Sequence, residues 1–241
     1  MNVKFMQYKK KAPEKKVIES TALANTPADI IKKYFNDNLG FGESKPVALS
    51  LLSQTINILE EFDIKYFAIS GTLLGIVRHN DLIPWDDDID LIVDESVLSK
   101  IGLIAEKYAG KINFGVGGDV VKTCFPDKIN RLDCVWSKRM IDGSKYMWPF
   151  VDLFVYKISK KFSNQMIFFG KSWHMDKFFP ANQLMLGEIL ISVPCEPDYF
   201  LKRNYGSKYM TVLRSNNWSH KNEKRISDIV SIGMDDYQAN K

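Results

Sequence analysis

Four carboxylates fall within five positions, at Asp86, Asp87, Asp88 and Asp90, and run straight into the apolar Ile89, Leu91, Ile92 and Val93. Read as a strand, alternation puts Asp86, Asp88 and Asp90 on one face and Ile89, Leu91 and Val93 on the other. Two carboxylates about 4 Å apart repel by roughly 4 kcal/mol at an effective dielectric near 20. Three of them on a half-buried strand therefore call for a cation. A hard dication such as Mg²⁺ takes oxygen ligands and shares them with phosphates, which makes Asp86, Asp88 and Asp90 candidate metal ligands. The same spacing opens an EF-hand loop, but Leu91 stands at its glycine position and Val97 at its closing glutamate. Asp87 points to the opposite face and reads as structural.

An acidic run is more often a solvated loop, and the segment upstream argues against that here. Tyr66 to Ile69 is a short apolar run, followed by Ser70-Gly71-Thr72, which opens Leu73 to Val77. A strand turning through small residues into a helix offers free backbone N–H groups to an anion, so Gly71 and Thr72 form a candidate phosphate seat. Arg78 suits a bidentate grip on phosphate oxygens, with a salt bridge to one of the aspartates as the alternative. His79 reads as a phosphate donor or an acid, against a simple turn histidine. Asp152 shares its parity with Phe150, Phe154 and Tyr156. It reads as a third carboxylate brought in from a neighbouring strand, or as a buried cap. Trp85 reads as a loop prop. Trp136, Trp148 and Tyr205 are stacking candidates among which the sequence does not choose. His174 and His220 have no partner at ligand spacing and read as surface residues.

Ser70 to His79, followed by Ile83-Pro-Trp-Asp-Asp-Asp-Ile-Asp90, resembles the signature of the LicD family. That family includes bacterial phosphorylcholine transferases and, more distantly, fukutin and fukutin-related protein. Phe150-Val-Asp-Leu-Phe154 is similar to the family's later Asp-containing strand. Val193-Pro194 through Leu201 to Tyr205-Gly206 is similar to its closing pattern. The resemblance spans about residues 45 to 215, and departs from the pattern at Ile69-Ser70, where many relatives carry Gly or Asp-Gly.

The resemblance implies an α/β (α+β) nucleotidyltransferase-like fold, a mixed sheet with helices packed on it. It also implies a phosphotransferase that moves a phospho-alcohol or phospho-sugar group from a CDP-linked donor to a glycan hydroxyl. Asp88, Asp90 and Asp152 would be catalytic. With Asp86 they would bind one or two Mg²⁺, Mn²⁺ being the alternative ion. Gly71, Thr72, Arg78 and His79 would hold the donor phosphates. Two rivals remain: transfer of a nucleoside monophosphate from a triphosphate, and an inactive nucleotide- or glycan-binding module.

A chain of 241 residues with 45% hydrophobic and 26% charged residues is long enough for one substantial core and ordinary for a soluble globular protein. The net charge of +4 does not point to nucleic acid. Lys4, Lys9, Lys10, Lys11, Lys15 and Lys16 make a basic arm, for which contact with anionic membrane is the minority reading. A second basic cluster lies near Lys221, Lys224 and Arg225. No apolar run approaches the ~18 residues of a membrane span, and the N-terminus lacks a signal-peptide stretch. Cys124, Cys134 and Cys195 show neither disulfide nor zinc spacing, so a cytoplasmic setting is expected.

Residues 1–24 read as a poorly ordered arm, 25–215 as a single domain and 216–241 as a tail. Thr26, Pro27 and Asp29 mark a helix start running to about Asn36. A second helix from Ser44 or Pro46 is expected to bury Leu49, Leu52, Ile56, Leu59 and Phe62. Further helices are predicted over Ser96 to Tyr108 and Pro197 to Tyr205, each ended by a nearby glycine. Strands are predicted over Ile112 to Phe114, Val120 to Phe125, Leu132 to Trp136 and Phe150 to Ile158, with a hairpin arm over Met185 to Ile191.

Overall fold

A three-residue strand, β1 (Val17–Glu19), precedes helix α1 (Pro27–Tyr34). Thr26 and Asp29 close a reciprocal capping box at its start, with Pro27 in the first turn, as predicted. The computed structural model describes residues 17–19, 26–126, 135–141 and 144–241, by backbone alone over 135–141 and 144–146. Most of the basic arm, Cys134 and the side chain of Trp136 therefore lie outside the described residues. Helix α2 (Lys45–Glu61) buries Ala48, Leu51, Leu52, Thr55, Ile56, Ile58 and Leu59. Leu49 and Phe62, expected on that face, are only partly buried, because the buried stripe is rotated toward Leu51 and Ile58.

The chain then lays down strand β2 (Tyr66–Ala68), helix α3 (Ser70–His79), strand β3 (Ile89–Asp94) and helix α4 (Ser96–Lys107). Strands β4 (Asn113–Gly117) and β5 (Val120–Cys124) form a hairpin, as do β6 (Val135–Ile141) and β7 (Ser144–Trp148). Strand β8 (Phe150–Ile158) is the hub of the main sheet. It pairs in parallel with β3 on one side, and antiparallel with β5 and then with β9 (Gln165–Phe168). Strand β10 (Lys171–His174) extends β9, and β2 extends β3 antiparallel, so the sheet is mixed. Helix α2 packs on β8 and β5, and α3 on β3. Flanked on both edges and covered, β3 and β8 carry long apolar runs: Ile89, Leu91, Ile92, Val93, Val151 and Leu153 are all buried.

Beyond the sheet, β11 (Asn182–Leu186) and β12 (Ile189–Val193) form the expected hairpin around Gly187, whose φ is +60°. Helix α5 (Pro197–Tyr205) ends at Gly206, also as expected. The segment after residue 215 is not a tail. Strands β14 (Trp218–Ser219), β15 (Lys224–Arg225) and β16 (Ile229–Gly233) and helix α6 (Met234–Asn240) are folded there, and β16 pairs with β13 (Val212–Arg214), which precedes them. Val230, Ile232 and Tyr237 belong to the same hydrophobic cluster as Ile30 and Phe35 of the N-terminal region. The arm is likewise anchored in part, since β1 pairs in parallel with β16. Both corrections have one cause. These strands are two to five residues long and are stabilised by partners distant in sequence, so they leave little local pattern.

Candidate active site

Strand β3 begins at Ile89, so Asp86, Asp87 and Asp88 lie in the extended lead-in rather than in the strand. The alternation nevertheless holds through both: Asp87 and Ile89 are buried, while Asp86, Asp88 and Asp90 keep some solvent contact on the other side. Parallel pairing sets Asp90 opposite Asp152, and antiparallel pairing sets Asp152 opposite Lys122. Three neighbouring strands thus carry one charged rung, Asp90–Asp152–Lys122. The Lys122 ammonium is ion-paired with Asp152 and sits 3.6 Å from the centre of the Phe150 ring. Lys122 escaped the sequence reading, because its place beside Asp152 is set by the register between β5 and β8.

Helix α3 faces the aspartates with its first turn. The Ser70 hydroxyl hydrogen-bonds Asp90. Ser70 stands in the left-handed region, with φ of +50°, at the place where the resemblance puts glycine in many relatives. A Cβ on Gly71 would collide with Asp86 Oδ2, so only glycine lets that carboxylate lie against the helix start. Gly75 serves the same end: a Cβ there would lie 2.6 Å from the Asp81 carbonyl, where the chain folds back over α3. Thr72 departs from the expected role. Its buried hydroxyl accepts the Asp90 N–H at 2.8 Å, tying α3 to β3 rather than facing a phosphate.

Crowding and burial set the electrostatics. The Asp86 carboxyl is pushed well above the usual range, first by the protein atoms packed round it and then by Asp88, Asp87 and Asp90. Asp90 is raised in the same way, by burial and then by Asp88 and Asp152. Burial also raises Asp152, with Lys122 pulling in the opposite direction. Asp87 is buried and raised, yet well satisfied: it accepts from Ser219 Oγ (3.2 Å) and from the backbone N–H groups of His220 (3.1 Å) and Lys221 (3.0 Å). The structural role expected for Asp87 has this physical basis.

His220 corrects another expectation. It is no surface residue: its Nε2 lies 3.2 Å from Asp88 Oδ2, and its ring packs 5.9 Å from that of Phe150. Asn216, also unforeseen, donates to Asp86 Oδ1 at 3.2 Å. No sequence signal could have found them, because they are more than a hundred residues from the aspartates they touch. His174 is exposed, as expected.

A cleft of about 470 Å³ opens from Asp86 and Gly71 along Arg78, Tyr205, Lys208 and Arg214. Arg78 donates to the Tyr209 carbonyl (2.9 Å) and to His79 Nε2 (3.0 Å), so among the described residues it is not salt-bridged to an aspartate. Burial brings its guanidinium down to about 10, while Tyr205 and Asp86 favour its charge. Burial and the neighbouring Arg78 push His79 down to about 4, in accord with an unprotonated Nε2 that accepts from Arg78. Trp85 is the expected prop: buried against Phe35 and Tyr237, it donates to the Arg214 carbonyl. Trp148 is buried, stacked on Phe41, and donates to the Asp87 carbonyl, so it is no base-stacking platform. Tyr205 lines the cleft.

The LicD/FKTN/FKRP nucleotidyltransferase-domain family matches this chain over residues 63–196, which takes in the aspartate row, α3 and Asp152. The chain belongs to that family. Among curated relatives of this LicD-family chain, the lipopolysaccharide cholinephosphotransferase LicD of Haemophilus influenzae is 27% identical over 116 residues, 47% of this chain and 43% of the relative. The human ribitol-5-phosphate transferase FKTN is 26% identical over 196 residues, 78% of this chain and 38% of the relative. The chain spans less than half the length of these relatives. A solved lincosamide antibiotic adenylyltransferase, LnuA, with lincomycin bound, is similar at a TM-score of 0.37 and 9% identity over 67% of this chain and 92% of that one, too remote to inform the reading. Among the described residues no helix is long and apolar enough to cross a membrane.

The donor set suits a hard dication by its chemistry. Asp86, Asp88, Asp90 and Asp152 offer only oxygen, and their mutual repulsion is what a dication relieves. With the side chains as they stand, Lys122 and His220 occupy Asp152 and Asp88. Among the described residues, no group of three or more His, Cys, Asp or Glu side chains is already closed around an ion position.

Proposed function

We propose that this domain transfers a phosphorus-containing group from a nucleotide-diphosphate donor, CDP-linked, to a carbohydrate hydroxyl. The observation that carries the reading is the facing pair Asp90–Asp152, with Asp88 crowding Asp90 and Asp86 lining a cleft that also holds Arg78. Asp86, Asp88, Asp90 and Asp152 would hold Mg²⁺, or Mn²⁺ in its place, which when bound neutralises phosphate charge. The names of the relatives supply two candidate groups, phosphocholine and ribitol phosphate.

In this reading Arg78, half-buried and not tied to a carboxylate, grips phosphate oxygens at the cleft. His79, neutral and hydrogen-bonded to Arg78, holds the guanidinium in place rather than acting as an acid. Asp152, its carboxyl raised by burial, would take the proton of the attacking hydroxyl. A bond forms from that hydroxyl oxygen to the phosphorus bearing the head group. The bond from the same phosphorus to the nucleoside monophosphate breaks, and the monophosphate leaves. Positioning and charge stabilisation do most of the work in such transfers, which fits a site of carboxylates beside a cleft lined by Arg78, Lys208 and Arg214.

The test is mass analysis of products after incubation with CDP-alcohols, CDP-sugars, GDP-sugars and nucleoside triphosphates, each with Mg²⁺ and a glycan acceptor. Release of nucleoside monophosphate with a matching mass gain on the acceptor supports the reading. Pyrophosphate release from a triphosphate replaces it with nucleotidyl transfer. Binding with no turnover across the panel leaves a binding module.

A further inference from the structure

Three successive aspartates are held by one short segment of the C-terminal region. Asn216 donates to Asp86, Ser219 and the N–H groups of His220 and Lys221 donate to Asp87, and His220 reaches Asp88. The family-matched residues end at 196, so this segment lies wholly outside them.

The segment is itself fixed on its far side. Ser215 exchanges hydrogen bonds with Val230 of the buried strand β16, its N–H donating to the Val230 carbonyl (2.8 Å) and its Oγ accepting the Val230 N–H (2.9 Å). The Ile226 N–H donates to the Asn217 carbonyl at 3.0 Å, and Ser219 Oγ accepts from the Asn222 backbone at 3.2 Å. The Lys221 ammonium lies 4.8 Å from the Trp148 ring centre, and the His220 ring rests on Phe150. An aspartate has two rotatable side-chain bonds. A donor on a rigid mount, engaging one of its oxygens, fixes how the carboxylate is turned.

We infer that Asn216–Lys221 is the positioning element of the aspartate row, and that His220 orients Asp88 for its ion. This rests on the reading that Asp88 is a metal ligand. His220 is a positioning residue: it touches the carboxylate, not the transferred group. Such outer partners of a ligand commonly change metal affinity by about 10–100-fold when removed. Their geometric part can be kept by any side chain that still donates from the same place.

Calorimetric titration of the full chain with Mg²⁺, without donor or acceptor, tests this. His220→Phe keeps a ring against Phe150 but cannot donate, and its Mg²⁺ affinity is expected to fall about tenfold or more. His220→Gln retains a donor and is expected to bind more nearly as the parent does. Parent-like affinity in His220→Phe, alongside lost binding in Asp88→Asn, overturns the positioning role and leaves the metal site standing. Parent-like affinity in Asp88→Asn overturns the metal site itself. Should His220→Phe fail to fold, His220→Ala with and without added imidazole decides: restored affinity supports the role, and no restoration overturns it.

Discussion

Asp90 on β3 and Asp152 on β8 stand directly opposite one another across a parallel strand pair, both with their carboxyls raised above the usual range. Two acids so placed resist shared ionisation. The fold keeps them together because the apolar residues between and around them leave the strands no other register. Ile89, Leu91 and Val93 pair with Val151, Leu153 and Val155, and all six are buried. A slip of either strand by one residue would turn its acid to the opposite face.

Asp88→Asn and Asp90→Asn are each expected to lower turnover by at least about a hundredfold while the protein stays folded. Removing one charge from the row relieves repulsion, so the metal-free melting temperature of Asp90→Asn should equal or exceed that of the parent. Steady-state kinetics at saturating Mg²⁺, paired with thermal melts, check both halves. Near-parental activity in either variant removes it from the site.

Asp152→Ala separates a metal ligand from a buried cap. As a ligand, its loss should weaken Mg²⁺ binding and cut activity about a hundredfold or more. As a cap, it should cost stability and leave Mg²⁺ affinity unchanged. Lys122 loses its ion-pair partner in either case, so melts alone cannot distinguish the two and calorimetry must.

Gly71→Ala is expected to impair activity more than folding. The added methyl meets the end of the Asp86 side chain, which can swing away, and alanine is a good residue for the helix interior. Displaced, Asp86 no longer lies against the start of α3. A fall in kcat/KM of about tenfold with a melting temperature near the parent's is the expected pattern. Parental kinetics would show that the placement of Asp86 is immaterial.

Asp87→Ala should behave in the opposite manner, as a stability mutant. It leaves three donors of the C-terminal segment without their acceptor in a buried place, at a cost of about 3 kcal/mol. Saturating Mg²⁺ should not recover the loss. Urea unfolding with and without Mg²⁺ measures it, and a change under about 0.5 kcal/mol would contradict the role.

His79 makes folding weaker in acid. Its folded value of about 4 lies below the ordinary 6.5, so unfolding takes up a proton between those values. Its contribution is complete above about pH 6.5 and is lost as pH falls toward 4, amounting to at most about 3 kcal/mol. The raised carboxyls of Asp86 and Asp90 act in the opposite sense, favouring the fold as pH falls. The difference between parent and His79→Gln, followed by melts from pH 7.5 to 4.5, isolates the histidine. The gap between them should narrow toward acid, and a gap independent of pH would exclude the effect.

Much of the geometry of the candidate site was legible because it is local. Alternation from Asp86 to Val93 predicted which acids share a side even though the strand proper starts later, at Ile89. The parity of Asp152 within Phe150 to Tyr156 was similarly readable. Thr72 misled because a hydroxyl at a helix start serves an anion or the neighbouring strand equally well, and only the position of the Asp90 N–H decides. Lys122, Asn216 and His220 were not legible as site residues. Each meets its aspartate through sheet register or loop packing, and register between distant segments has no period within the sequence. The same holds for β16, whose short run acquires its meaning only when β13 and the distant β1 pair with it.

The grip of residues 216–221 on Asp86 to Asp88 spans 130 to 134 residues of chain, and that distance has a consequence for biosynthesis. A ribosome makes the acids long before it makes their holders. A nascent chain that already carries every family-matched residue still has three adjacent negative charges with no clamp. A chain cut before Asn216 would keep every family-matched residue and leave its acidic lead-in unheld. Completion of the row thus waits for a segment made after the family-matched residues.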